Sequence, residues 1–180
     1  MTNTVTLWDK QFSNYIANER ILERVKAIGQ EINRDYEGKR PLFLAILNGA
    51  FMFASNLFQH LCIDCEVSFI KLSSYQGTES TGNVQELIGL EENLEDRHVI
   101  VLEDIVDSGI TLAELLPRLE SQMPASVRLT SLIQKPDALQ YDIEVHYLGF
   151  TIPDKFVVGY GLDYDGLGRN LRDIYQLDER

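Results

Sequence analysis

The stretch Val99-Ile100-Val101-Leu102 runs directly into Glu103-Asp104, and Asp107-Ser108-Gly109-Ile110-Thr111 follows two residues later. A short apolar run of this kind reads as a buried strand, and a turn of Asp, Ser, Gly and Thr that opens a helix aims several backbone N–H groups and two hydroxyls at one point. With the helix dipole added, such a turn is a cradle for a phosphate. Glu103 and Asp104 stand beside it as acceptors suited to the hydroxyls of a sugar, directly or through Mg²⁺. In open α/β sheets ligands bind at the carboxyl ends of strands, where these residues would lie. No Gly-Lys-Ser/Thr string occurs in the chain, so the cradle is not a nucleotide P-loop.

Such a cradle needs a sheet behind it, and the chain supplies one. Leu42 to Leu47 is a continuous apolar run after Pro41, expected of a strand buried on both faces. It stops at Asn48-Gly49, and Ala50 to Leu61 has helical spacing before a second strand over Ile63 to Leu72. Strand, turn, helix and strand make a βαβ unit. His98 to Leu102 is a further buried strand ending in the two acids, followed by a helix over Thr111 to Leu119. Val84 to Leu90, Val127 to Ile133, Ile143 to Leu148 and Phe156 to Val158 read as additional short strands. Upstream, Phe12, Tyr15, Ile16, Ile21, Leu22, Val25, Ile28 and Ile32 recur at spacings of three and four, predicting a helical region between Gln11 and Tyr36. Ser73 to Asn83 is almost wholly polar and reads as a functional loop.

At 180 residues, 44% hydrophobic and 24% charged, the composition is that of a globular protein with one core. Sixteen Lys+Arg against 28 Asp+Glu give a net charge of −12, which argues against nucleic acid or a membrane surface as partner. A polyanionic ligand would then need a locally basic or amide-lined pocket bridged by a divalent cation. The polar N-terminus and the break in the apolar run at Asn48-Gly49 predict neither a secretory leader nor a membrane span, hence a cytoplasmic protein. Cys62 and Cys65 form a C-x-x-C without a second pair and are expected to be two buried thiols.

The stretch from Val99 to Leu112 is similar to the phosphoribosyl-diphosphate (PRPP) motif of the type I phosphoribosyltransferases. Further segments resemble the hypoxanthine-guanine branch of that family: Leu47-Asn48-Gly49, Ser74-Tyr75 with Ser80-Thr81-Gly82, Gln134-Lys135, the run Lys155 to Tyr164, and Arg169. The resemblance covers about Leu42 to Leu171. It implies one α/β phosphoribosyltransferase domain over 1–180, with a parallel sheet flanked by helices and a small hood from the C-terminal segment and the N-terminus. It also implies an enzyme that moves the phosphoribosyl group of PRPP onto an oxopurine base, as a homodimer or homotetramer.

By that resemblance, Glu103 and Asp104 would hold the ribose hydroxyls and Mg²⁺, and Asp107, Ser108, Gly109, Ile110 and Thr111 the 5′-phosphate. Asp107 would exchange a proton with purine N7. Asn48, Gly49 and Arg169 would meet pyrophosphate, and Ser74 and Tyr75 would belong to a lid. Lys135 would donate to the 6-oxo group, Phe156 would stack on the ring, and Val157 would offer its carbonyl. Asp163 would complete the purine side and join a second Mg²⁺. Two departures stand out. Asn48 replaces the basic residue of many members, so that the backbone, through a non-proline cis peptide, becomes the main pyrophosphate contact. Ile110 replaces a frequent Lys, which favours a bacterial-type enzyme and leaves the ranking of hypoxanthine, guanine and xanthine open.

Other readings are weaker. A receiver-like phosphoacceptor domain would have no use for the polar loop or the glycine-rich segment Gly159 to Gly168. A nucleic-acid-binding regulator that keeps the PRPP pocket conflicts with the −12 charge. Asp163-Tyr164-Asp165-Gly166 lacks the other ligands of a calcium loop. His60, His98 and His146 are scattered beside apolar segments and carry no catalytic role.

Overall fold

The computed structural model describes residues 4–74, 84–88, 90 and 92–178. Five parallel strands and one antiparallel edge strand form the main sheet, in the order β5-β4-β3-β6-β7-β8. They are β3 (Leu42–Leu47), β4 (Glu66–Ser74), β5 (Val84–Ile88), β6 (His98–Val106), β7 (Ser126–Gln134) and β8 (Tyr147–Thr151). The first five residues of β3 are all buried, because helices cover both faces of the sheet. Phe43 and Ala45 pack with α1 (Asn18–Asp35) and α2 (Phe51–Phe58). Leu42, Leu44 and Ile46 pack on the other side with Leu112, Leu115 and Leu119 of α3 (Ile110–Glu120).

A second, antiparallel sheet in the order β1-β2-β10-β9 forms the expected hood. It joins β1 (Thr4–Leu7) and β2 (Lys10–Ile16) to β9 (Val157–Val158) and β10 (Ile174–Leu177) around Phe12, Val158 and Tyr175. Here the helical reading of Gln11 to Ile16 is corrected. The spacing of Phe12, Tyr15 and Ile16 imitates a helix, but β1 and β10 pair with both edges of this segment, and partners distant in sequence decide its form. The helix proper begins only at Asn18, whose amide donates to Asp173 Oδ1 at 2.7 Å.

Three further boundaries differ. β6 does not end at the acids but runs through them to Val106, since β7 continues to pair with Glu103 and Ile105 after β3 has turned away at Asn48. The strand expected over Ile143 to Leu148 lies at Tyr147–Thr151, with Ile143 buried in the preceding loop against the α3 side of the sheet. Cys62 is exposed and Cys65 half-buried, both free, because they lie in the turn before β4 and not within it. Among the described residues no helix is long and apolar enough to cross a membrane.

Candidate active site at the carboxyl end of the sheet

β3 leaves the sheet at Leu47-Asn48, whose peptide bond is cis, as the resemblance implied. Asn48 is exposed and Gly49 buried. Gly49 presses on Asp104 so closely that a Cβ there would land on Asp104 Oδ2. From the hood, Gly161 (φ +103°) reaches the same point, and a Cβ on it would collide with the Gly49 carbonyl. Two glycines and one acid thus meet where the hood joins the sheet. Tyr160, wholly buried, fixes this junction through a 2.7 Å hydrogen bond accepted from Asn56 Nδ2 of α2.

Glu103 and Asp104 share a buried corner of β6. Asp104 is 8% exposed, and its Oδ1 accepts the Ile105 amide at 3.0 Å. Glu103 Oε2 is buried and has no hydrogen-bond partner among the described residues. Burial, then the adjacent Asp104 charge, pushes the Glu103 carboxyl well above the usual carboxylate range. Asp104 is raised by the same burial, opposed by its hydrogen bond with Glu103 and by the charge of Arg169. Two buried carboxyls facing each other, one oxygen unused, are a donor set that a divalent cation would complete. No group of three or more His, Cys, Asp or Glu side chains is placed to hold a metal alone among the described residues. Mg²⁺ suits such a corner, since it commonly takes one or two carboxylates and draws its other ligands from water and a phosphorylated substrate.

Beyond Val106 the chain makes the tight turn anticipated for the cradle. Gly109 adopts φ +79° at the start of α3 and packs against Ile143, which a Cβ would crowd. A small hollow of about 100 Å³ is lined by residues 103 and 105–112. The first amides of α3 have no intrahelical acceptor and lie at this hollow, where an anion would satisfy them. Asp107 is exposed, Ser108 and Thr111 half-buried, and Ile110 is 40% exposed.

Lys135 follows the last residue of β7, and its amide donates to the Val106 carbonyl, so the ends of β6 and β7 are stitched together. Its side chain is 5% exposed and its ammonium lies 2.7 Å from Asp107 Oδ2 and 3.4 Å from Asp154 Oδ1. Phe156 is 45% exposed, with its ring near Phe12 and Tyr164, while Val157 is buried in the hood sheet. Asp163 and Arg169 form a 2.6 Å ion pair, and Arg169 Nη1 also donates to the Gly161 carbonyl at 2.7 Å. Asp163 Oδ2 accepts the Gly166 amide.

The structure thus gathers the acids, the cradle, Lys135 and the Gly49–Gly161–Arg169 junction at one end of the sheet. Ser74 is the last residue of β4, whereas Tyr75 and the Ser80-Thr81-Gly82 string of the lid reading lie outside the described residues. Asp154 was not singled out by sequence reasoning, because an Asp after Pro153 in a loop carries no pattern of its own. Gly161 was noticed only as part of a glycine-rich segment. A larger cavity of about 670 Å³ opens at the opposite end of the sheet, near His98 and Arg128. Its two acids, Asp35 and Glu144, stand among Lys39, Arg128 and two histidines, and no helix N-terminus is in its lining, so size does not mark the chemistry here.

A family model described as the phosphoribosyl transferase domain matches residues 11–165. The chain is 37% identical over 180 residues to the hypoxanthine-guanine-xanthine phosphoribosyltransferase of Tritrichomonas foetus, covering 99% of this chain and 98% of that one. It is 40% identical over 169 residues to the hypoxanthine-guanine phosphoribosyltransferase of Mycobacterium tuberculosis H37Rv, covering 90% and 84%. Among solved structures, a Bacillus anthracis hypoxanthine-guanine phosphoribosyltransferase superposes with a TM-score of 0.85 at 37% identity, covering 92% of this chain and 96% of that one. A Trypanosoma cruzi hypoxanthine phosphoribosyl transferase superposes with a TM-score of 0.88 at 32% identity over 97% and 95% of the two chains.

Proposed function

The chain belongs to the phosphoribosyl transferase family, and on that premise we propose that it transfers the 5-phosphoribosyl group of PRPP to hypoxanthine or guanine, releasing pyrophosphate. This is purine salvage, and the products are the corresponding purine 5′-monophosphates. The observation that carries the oxopurine reading is the buried Lys135 ammonium held against Asp107 at the rim of the cradle. A cation there can donate to a 6-oxo group but has nothing to offer the 6-amino group of adenine.

The residues divide the work by position. The first turn of α3, with Ser108 and Thr111, binds the 5′-phosphate, and Gly109 and Ile110 contribute backbone. Glu103 and Asp104 orient the ribose and would hold Mg²⁺, and Asp163 would join a second Mg²⁺ on the pyrophosphate side. Bound Mg²⁺ would neutralise pyrophosphate charge that an acidic protein cannot otherwise accommodate. The Gly49 backbone beside Asn48 and the Arg169 guanidinium receive pyrophosphate, a bidentate task. Phe156 stacks on the base and the Val157 carbonyl addresses its far edge. As the base nitrogen bonds to C1 and the bond to pyrophosphate breaks, Asp107 accepts the proton from N7. We place the reaction in the cytoplasm, which the two free thiols support, and assign it to one domain over 1–180, assembled as a homodimer or homotetramer.

Pyrophosphate release tests the reading. Adding hypoxanthine to the protein with PRPP and Mg²⁺ is expected to start rapid release. Thermal stabilisation by PRPP with no release on adding any purine would instead identify a regulator that has kept only the PRPP pocket.

A further inference from the structure

Lys135 carries two carboxylate neighbours, although its recognition role needs neither of them to leave. Asp107 Oδ2 lies at 2.7 Å and Asp154 Oδ1 at 3.4 Å, and the lysine side chain between them is only 5% exposed. Asp154 belongs to the loop between β8 and β9, two residues before Phe156, and has no part in the roles assigned above. A buried ammonium is tolerated when it is paired and becomes costly when its partner loses charge. In the reaction proposed above, that is what happens to Asp107, which turns neutral as it takes the N7 proton.

We propose that Asp154 is a positioning residue whose carboxylate keeps Lys135 paired, and so directed at the 6-oxo group, while Asp107 is protonated. The inference rests on the oxopurine reading. The balance is simple: one proton passes from N7 to Asp107, Lys135 keeps its protons, and Asp154 keeps its negative charge throughout. Before that transfer Asp107 suffices. The contribution of Asp154 therefore belongs to the step and not to substrate binding, which separates it from a residue that only shapes the Phe156 loop.

The test compares wild type, Asp154→Asn and Asp154→Glu in single-turnover nucleotide formation from PRPP and hypoxanthine, so that product release does not mask the step. Asp154→Asn is expected to slow the saturated rate roughly tenfold, the size of one charge-assisted hydrogen bond to a buried group. KM values for base and PRPP and the Tm should stay near wild type, and Asp154→Glu should recover most of the rate. An unchanged rate in Asp154→Asn would overturn the inference alone. So would a raised KM for hypoxanthine, or a loss of Tm shared by the Asn and Glu variants, since either describes a loop-shaping residue. A wild-type protein without turnover would overturn the functional reading and this inference with it.

Discussion

Lys135 Nζ lies 2.7 Å from Asp107 Oδ2, with the lysine side chain 5% exposed and the aspartate 50% exposed. The cation is thus fixed from within while its partner faces the opening, so an incoming base meets the carboxylate first and the ammonium behind it. Lys135 owes this position to the backbone hydrogen bond from its amide to Val106, which sets the end of β7 beside the start of the cradle.

Asp107→Asn is isosteric and keeps a polar partner for Lys135, yet it cannot accept a proton. The expected result is a fall in turnover of about 10²–10⁴-fold, the usual contribution of a positioned general base. PRPP binding, read as the ligand-induced rise in Tm, should change little. Turnover near wild type would remove Asp107 from the proton transfer.

The contact of Gly49 with Asp104 makes a second prediction. In Gly49→Ala the new methyl occupies the place of the Asp104 carboxylate, which is 8% exposed and whose Oδ1 is held by the Ile105 amide. Overpacking of this kind costs about 1–3 kcal/mol, so a drop in Tm is expected together with at least a tenfold loss of kcat/KM for PRPP. Calorimetry and steady-state kinetics on one preparation would show both. A variant with wild-type kinetics would mean that the close approach does not position the acid.

Glu103 provides a metal-dependent test. Its carboxyl is raised by burial and by Asp104, so in the folded state it favours the neutral form. Such a group stabilises fully below its unfolded value, and this is lost as pH rises through the folded value. In the presence of chelator at neutral pH, Glu103→Gln should therefore melt higher than wild type, and the gap should close near pH 4.5. Activity should collapse in the same variant at any Mg²⁺ concentration. A lower Tm in chelator would show that Glu103 is not an uncompensated acid.

His146 contributes to the acid limb of stability away from the site. Its Nδ1 accepts the Leu129 amide at 3.2 Å, and burial, followed by the Arg128 charge, lowers its proton affinity. Because the folded value lies below the unfolded value of about 6.5, the unfolded chain binds more protons as pH falls. The contribution is complete above pH 6.5 and is lost progressively below it. Tm measured from pH 8 to pH 5 should fall more steeply for wild type than for His146→Gln. Parallel curves would contradict this.

Much of this arrangement was legible in the residues, and the reason differs from part to part. β3 and the start of β6 are buried on both faces, so their apolar runs left little ambiguity. The cradle was legible because Gly109 and its polar neighbours encode a local turn, which needs no distant partner. β2 was misread because its form depends on β10, more than 150 residues away. The Lys135–Asp154 contact and the Gly49–Gly161 junction were out of reach for the same reason. The first joins residues 19 apart across an intervening strand and the second residues more than 100 apart, and in both the approach is set by the fold and not by a local pattern.

The most direct measurement is nucleotide formation from PRPP and Mg²⁺ with hypoxanthine, guanine, xanthine and adenine in parallel, for wild type and Lys135→Ala, with a chelator control. Wild type should convert hypoxanthine and guanine rapidly, leave adenine almost untouched, and stop in chelator, while Lys135→Ala should lose most of its preference for oxopurines. Conversion of none of the four bases by wild type, or a preference that survives in Lys135→Ala, would contradict the assignment of this site to oxopurine phosphoribosyl transfer.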